Sequence, residues 1–277
     1  MSRRYRHHRS LIAGGLAAAV LAGLAACSDS SSPQAAGTST GTASGTGTST
    51  GTPTGSAAGV STLPQGSQPV QLDPATFTTE IDNPYWPMAP GTTWVYTETD
   101  ADGAKLRTKV TVTDQTKMIA GIEARVVHDV VSEDGQIVED TFDWYAQDAA
   151  GNIWYLGEDT KEFENGKLKT TAGSWETGVD GAQAGVIIPA QPQPGMTYRQ
   201  EYYRGKAEDN GAVLSLQEFA KVPFGSFHGL LMTRDTTPLE PDLVEYKFYA
   251  KDVGPILTAQ TSGGFSQEVL VKRTGGG

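Results

Sequence analysis

"DTFDWYAQDAAGNIWYLGEDTKEF", residues 140–163, decides the fold. It carries six carboxylates, two Trp, two Tyr and two Phe. Two aromatic-rich runs flank "DAAGN", where Gly151 supplies the positive φ that a short hairpin loop needs. Side chains alternate across a strand, so Phe142, Trp144 and Ala146 share one face. Thr141, Asp143, Tyr145 and Gln147 share the other. The first face reads as core. The second is polar yet aromatic, which suits either solvent or a wet cavity.

The same grammar repeats along the chain. "DADGAK", "SEDGQ", "QDAAGN", "FENGK", "EDNGA" and "TSGGF" read as hairpin connectors. Between them lie runs such as "TTWVYTET", "KLRTKVTVT", "ARVVHDVVS", "AVLSLQEF", "LVEYKFYAK" and "EVLVKR", rich in residues that favour a pleated surface. No run keeps an apolar stripe at helical spacing for more than two turns. The expected fold is therefore mainly β: a curved antiparallel meander of about 10–13 strands forming an open barrel. A two-layer β-sandwich is the alternative. Residues 170–196 break the rhythm with Pro and Gly, leaving one short apolar strand at residues 186–188. Long irregular segments in compact domains often carry function.

The ends of the chain speak to location. "MSRRYRHHRS" is a basic leader, and the apolar run at residues 11–26 is shorter than the ~20 residues a spanning helix needs. Residues 1–26 read as a signal peptide. "LAAC" then resembles the lipobox of bacterial lipoproteins. That resemblance implies cleavage before Cys27, a diacylglyceryl thioether on its sulfur and acylation of the new amino group. Cys27 is the single cysteine of 277 residues, so it has no internal disulfide partner. Several acyl chains anchor stably where one does not. Export by general secretion is expected. "SRRYR" offers the twin-arginine route as an alternative, although Arg6 and His7 follow the pair where an apolar residue is usual.

Residues 27–69 hold the candidate lipid site and a Ser/Thr/Gly-rich segment that cannot bury enough apolar surface to order itself. As a flexible tether of about 40 residues it reaches roughly 35 Å. Residues 70–273 form one β-rich domain in this reading, and residues 274–277 a disordered tail. Loss of Arg3, Arg4, Arg6 and Arg9 with the signal takes the formal charge from −11 to −15. So acidic a body disfavours nucleic acid. The expected partners are the bilayer, through acylated Cys27, and a small-molecule or envelope ligand.

Candidate chemistry is sparse. Residues 148–159 have the length of a calcium loop, but Ile153 stands where an EF-hand requires Gly, and strands flank it instead of helices. Asp148, Glu158 and Asp159 are expected to be turn carboxylates facing water. His128 and His228 are too few for a zinc site, which needs three or four ligands. No metal and no cofactor is expected. No G-x-S-x-G elbow is present, and Ser226 beside His228 lacks an orienting acid. A glycosidase needs two carboxylates at a set separation, but a chain with 32 acids meets such a spacing by chance.

Two strands carry polar and aromatic residues on both faces. In "TYRQEYYRG", Thr197, Arg199, Glu201 and Tyr203 are expected on one face. In "LVEYKFYAK", Glu245, Lys247 and Tyr249 share a face. Rings on a polar face can line a ligand cavity. They can equally form ordinary cross-strand ladders.

"NPYWPMAPGTTWVY" at residues 83–96 and "KFYAKDVGPI" at residues 247–256 resemble a signature of uncharacterised bacterial lipoproteins. These share an N-terminal PxxPGxxWxY element, a β meander and a closing YAxxVG strand. The resemblance implies architecture and location, and no catalytic residues. The resulting expectation is a lipid-anchored protein on the extracytoplasmic face of a bacterial membrane, with a non-catalytic binding domain. Its ligand set would be Asp143, Tyr145, Trp154, Trp175, Arg199, Glu201 and Tyr203. The alternatives are a secreted hydrolase using carboxylates or a calcium-stabilised site, and an assembly role in the envelope.

Overall fold

A computed structural model describes residues 63–101 and 103–275. The signal region, Cys27 and the tether as far as residue 62 lie outside the described residues. The strands are β1 (Phe77–Thr78), β2 (Thr93–Asp100), β3 (Lys105–Ile119), β4 (Ile122–Glu133), β5 (Gln136–Asp148) and β6 (Ile153–Glu164). Then follow β7 (Lys167–Thr170), β8 (Trp175–Glu176), β9 (Gln183–Ile188), β10 (Thr197–Arg199) and β11 (Glu201–Tyr202). The last five are β12 (Asn210–Val222), β13 (Gly225–Thr237), β14 (Glu240–Ala250), β15 (Gly254–Ser262) and β16 (Ser266–Thr274). The one helical element among the described residues is a 3₁₀ turn at Pro74–Thr76, capped by the Asp73 carboxylate.

All sixteen strands belong to one antiparallel sheet, ordered β10-β12-β13-β14-β15-β16-β2-β3-β4-β5-β6-β9-β11. It is a curled, open meander, as the turn spacing predicts. The surplus over the expected strand number comes from the short β1, β7, β8 and β11. Type I′ geometry, with positive φ at both central residues, appears at Asp134–Gly135 and Asn165–Gly166. "EDNGA" is a different case. Asn210 and Gly211 open β12, paired with Thr236 and Asp235, and the reversal falls earlier, around the Tyr203–Ala207 bridge.

Two junctions tie the body together. The first joins the chain's ends: β16 lies beside β2, with Leu270 opposite Tyr96. Here the two signature segments meet. Asp252 N–H donates to Pro84 O at 2.7 Å, Trp94 Nε1 to Val253 O at 2.7 Å and Tyr96 OH to Pro255 O at 2.9 Å. The Trp86 ring sits 6.3 Å from that of Tyr249.

The second junction brings the two ends of the sheet path together. β10 ends at Arg199 and β11 starts at Glu201, so Gln200 alone separates them. β10 pairs with β12, whereas β11 pairs with β9. The backbone N–H groups of Gln200 and Glu201 both point at Asp209 O. On the β9 side a Cβ on Gly185 would stand 2.3 Å from Gln200 C and O. Only glycine fits that approach.

This junction corrects the expectation of one continuous strand through "TYRQEYYRG". The chain changes partner at Gln200, so Arg199 and Glu201 do not share a ladder. The folded body also begins before residue 70. Arg199 N–H donates to Pro64 O, and Arg199 Nη1 donates to Gly66 O and Gln68 O. At the other end β16 runs through Thr274, paired with Thr93.

The main core fills the curl, with contributions from both halves of the meander, and a small separate cluster joins Leu106, Val131 and Val138. Residues 81–92 cross one end of it, burying Ile81, Tyr85, Trp86 and Met88. Gln147 fastens this crossing by accepting from Asp82 N and Asn83 N and donating to Asp82 Oδ1. Across the interior β12 touches β15 and β16.

Candidate functional site

The inner face of the sheet is the unexpected part of the molecule. On β5 it presents Glu139, Thr141, Asp143 and Tyr145, all buried. The polar-aromatic face of the opening stretch therefore points inward. Phe142, expected in the core, is only partly buried and stacks on His128 with ring centroids 4.3 Å apart. Trp144 is buried beneath the Lys117 ammonium, 3.2 Å from its ring.

The neighbouring strands extend the same face. Asp129 lies opposite Thr141, Glu158 opposite Asp143, and Thr160 opposite Thr141 on the far side. On the other half of the curl Asp235 lies opposite Glu245 and Gln260 opposite Glu245 in turn. Glu268 faces Glu98. Nine carboxylates are buried among the described residues: Asp129, Glu139, Asp143, Glu158, Glu201, Asp209, Asp235, Glu245 and Glu268. Lys247 is the one buried lysine among them.

A buried charge is costly unless it is paired, hydrogen-bonded or neutralised by a proton. All three solutions occur. Lys247 Nζ lies 2.9 Å from Asp235 Oδ2 and 3.9 Å from Glu245 Oε2. Burial alone would lower the lysine's pKa, but the attraction of Asp235 and Glu245 overrides it and the net shift is upward. Tyr155 OH donates to Asp143 Oδ1 at 2.7 Å, and Trp175 Nε1 to Glu201 Oε2 at 2.8 Å. The Thr141 and Thr160 hydroxyls meet at 2.7 Å.

For six of the nine acids, burial favours the protonated form. Burial pushes Asp143 up to about 7, against the Tyr155 hydrogen bond. It pushes Asp209 up to about 8, opposed by Lys247, and Glu268 up to about 8, opposed by a hydrogen bond from Thr108. Glu158 is raised well above the carboxylate range by burial and then by Asp143 and Glu139. Glu201 is raised by burial, Asp209 and Glu158, and Asp129 by burial, Asp143 and Glu139.

The tyrosines complete the site. Tyr145 and Tyr155 stack at 4.9 Å, and Trp175 meets Tyr155 edge-on at 5.3 Å. The buried hydroxyls of Tyr145 and Tyr198 have no hydrogen-bonding partner in the protein. Gly157 makes room for this packing. It forms a bulge between Trp144 and Tyr145, and a Cβ there would stand 2.3 Å from Trp175 O.

Of the residues singled out from sequence, Asp143, Tyr145, Trp175 and Glu201 come together on this inner face. Trp154, Arg199 and Tyr203 do not. Trp154 donates to Asp148 Oδ2 and packs edge-on against Phe77. The Arg199 guanidinium binds the carbonyls of Gly66, Gln68 and Ala184. Tyr203 is half-buried in a turn, its hydroxyl accepting from Lys206.

Glu158 is the correction that matters most. It is 1% exposed, not a turn carboxylate in water. Asp148 does serve the turn: it accepts from Ala150 N, Asn152 N, Asn152 Nδ2 and Trp154 Nε1. Among the described residues no three of His, Cys, Asp and Glu are disposed to hold a metal ion. His128 contacts Asp140, and Ser226 and His228 are exposed on β13.

No protein-family model matches the chain, and no curated protein matches it in sequence. Two crystal structures are similar in chain course. One is a candidate lipoprotein from Parabacteroides distasonis, 16% identical, covering 69% of this chain and 98% of its own, with a TM-score of 0.40. The other is a candidate exported protein with a YmcC-like fold from Bacteroides fragilis, 15% identical, covering 69% and 99%, with a TM-score of 0.41.

Proposed function

We propose that this chain is a lipid-anchored extracytoplasmic protein whose β body takes a small polar ligand into its acid- and tyrosine-lined interior, without catalysis. The observation that carries this reading is the convergence of buried carboxylates and tyrosine hydroxyls around Asp143 and Glu158. A core built only for stability would be apolar at these positions, because buried polar groups cost free energy unless fully satisfied. The location rests on the basic leader, the short apolar run and "LAAC" before Cys27.

Native mass spectrometry of the full chain, extracted from the membranes of an expressing bacterium, tests both parts. The reading expects acyl mass on Cys27 and a further non-covalent adduct released on activation. Cys27→Ser should move the protein to the soluble fraction. A bare polypeptide, or a Cys27→Ser variant that stays membrane-bound, contradicts it.

A further inference from the structure

We propose that Asp143, Glu158 and Glu201, with Tyr145, Tyr155 and Trp175, form a site for a small organic ammonium ion. The inference deepens the ligand-binding reading above and rests on it.

The first argument is charge matching inside one molecule. Two acid pairs face each other across ladders in the deep interior: Asp235 with Glu245, and Asp143 with Glu158. Lys247 serves the first, its ammonium within 2.9 Å of Asp235. The protein itself thus shows what chemistry suits an acid pair on this face. The second pair is served by a phenol, Tyr155, and its neighbour Glu201 by an indole, Trp175. Among the described residues no Lys, Arg or His forms an ion pair with Asp143, Glu158 or Glu201.

The second argument is independent of the acids. Tyr145 is fully buried, and its hydroxyl has no protein partner. Tyr145 shares the buried face of β5 with Asp143, and its ring stacks on that of Tyr155, the donor to Asp143. A phenol oxygen can accept a hydrogen bond from an ammonium. Two carboxylates and that oxygen match the three donors of a primary ammonium.

The third argument is the wall. Tyr145, Tyr155 and Trp175 present stacked and edge-on rings beside the acids. Rings favour a cation over their faces and shelter an alkyl chain. An ammonium ion would draw these acids toward their ionised form, which an anion cannot do.

The test uses the full-length chain in detergent, equilibrated overnight with butylamine, 1,4-diaminobutane, 1-butanol or butyrate. Calorimetry and thermal melting are the readouts. The amines should bind and raise Tm, with 1-butanol and butyrate inert. Asp143→Asn and Tyr145→Phe should weaken amine binding at least about tenfold, while folding with undiminished Tm. That combination separates a binding role from a structural one, because the Tyr145 hydroxyl makes no bond that folding would miss. Asp159→Asn, outside the cluster, should bind as the parent does. Amines that fail to bind overturn the proposal, and so do amines that bind all variants equally. If 1-butanol or butyrate binds in their place, or the membrane-extracted protein releases a non-cationic adduct, the ligand-binding reading stands and the ammonium assignment falls. If nothing binds and no adduct is released, both fall.

Discussion

Asp143 and Glu158 stand directly opposite each other on β5 and β6, both buried to within 1%. Like charges placed directly opposite destabilise a sheet. The arrangement recurs at Glu139 with Glu162, Asp235 with Glu245, and Glu98 with Glu268. Four such pairings in one curled sheet give the interior a distinctive dependence on protons and on Lys247.

The first consequence is the sign of the pH dependence. Asp143, Asp209 and Glu268 have folded-state values of about 7, 8 and 8. The unfolded chain titrates these groups near 4. Between those limits the folded state binds more protons than the unfolded state, so stability falls as pH rises. Each group contributes up to about 1.4 kcal/mol per pH step within its window. Urea unfolding from pH 5 to pH 8 should show stability highest near pH 5 and declining from there. A curve that rises from pH 5 to pH 8 contradicts this.

Lys247 is the second lever. Removing one partner of a buried ion pair leaves an uncompensated charge and costs about 3–5 kcal/mol. Lys247→Met should lose about that much at pH 8. Denaturant melts of the variant and the parent check it, and an unchanged stability argues against the ion-pair account.

Gly185 tests the junction of the sheet's two ends. A methyl group there meets the Gln200 backbone at 2.3 Å, and backbone cannot swing aside as a flexible side chain can. Overpacking of this kind costs about 1–3 kcal/mol. Gly185→Ala should lower Tm accordingly, whereas Gly135→Ala, with open space around its Cβ, should show only the cost of its positive φ.

Arg199 tests the edge of the folded body. Its guanidinium holds the carbonyls of Gly66, Gln68 and Ala184. Arg199→Ala should cost about 3 kcal/mol, since hydrogen bonds to charged groups are the stronger kind. Hydrogen exchange should accelerate in residues 63–70. Unchanged exchange there would show that the segment is held by other contacts.

Much of the fold is legible in the sequence because strands and hairpins announce themselves locally. "SEDGQ", "QDAAGN" and "FENGK" turn where Asp, Asn and Gly permit positive φ. "EDNGA" misleads because its Asn-Gly starts a strand, and no local signal separates the two cases. Alternation puts Asp143 with Tyr145, and Glu245 with Lys247 and Tyr249, on common faces. It does not say which face is inside. The usual assumption, apolar inward, assigns Phe142 to the core, and the structure turns Asp143 inward instead. Glu158 reads as a turn acid because its partner across the ladder depends on the bulge at Gly157. Arg199 and Glu201 part company at Gln200, a long-range event with no trace in spacing. Lys247 is the exception: one lysine alternating with Glu245 and Tyr249 is the visible sign of a charged interior.

The most direct test of the central claim is a carbon-13 NMR titration of the side-chain carboxyls, assigned through Asp143→Asn and Glu158→Gln. The account predicts that Asp143 titrates near 7 and that Glu158 titrates well above the ordinary carboxylate range. If both carboxyls instead ionise between pH 3 and pH 5, the interior is not the proton-sharing acid cluster described, and the site built on it does not exist.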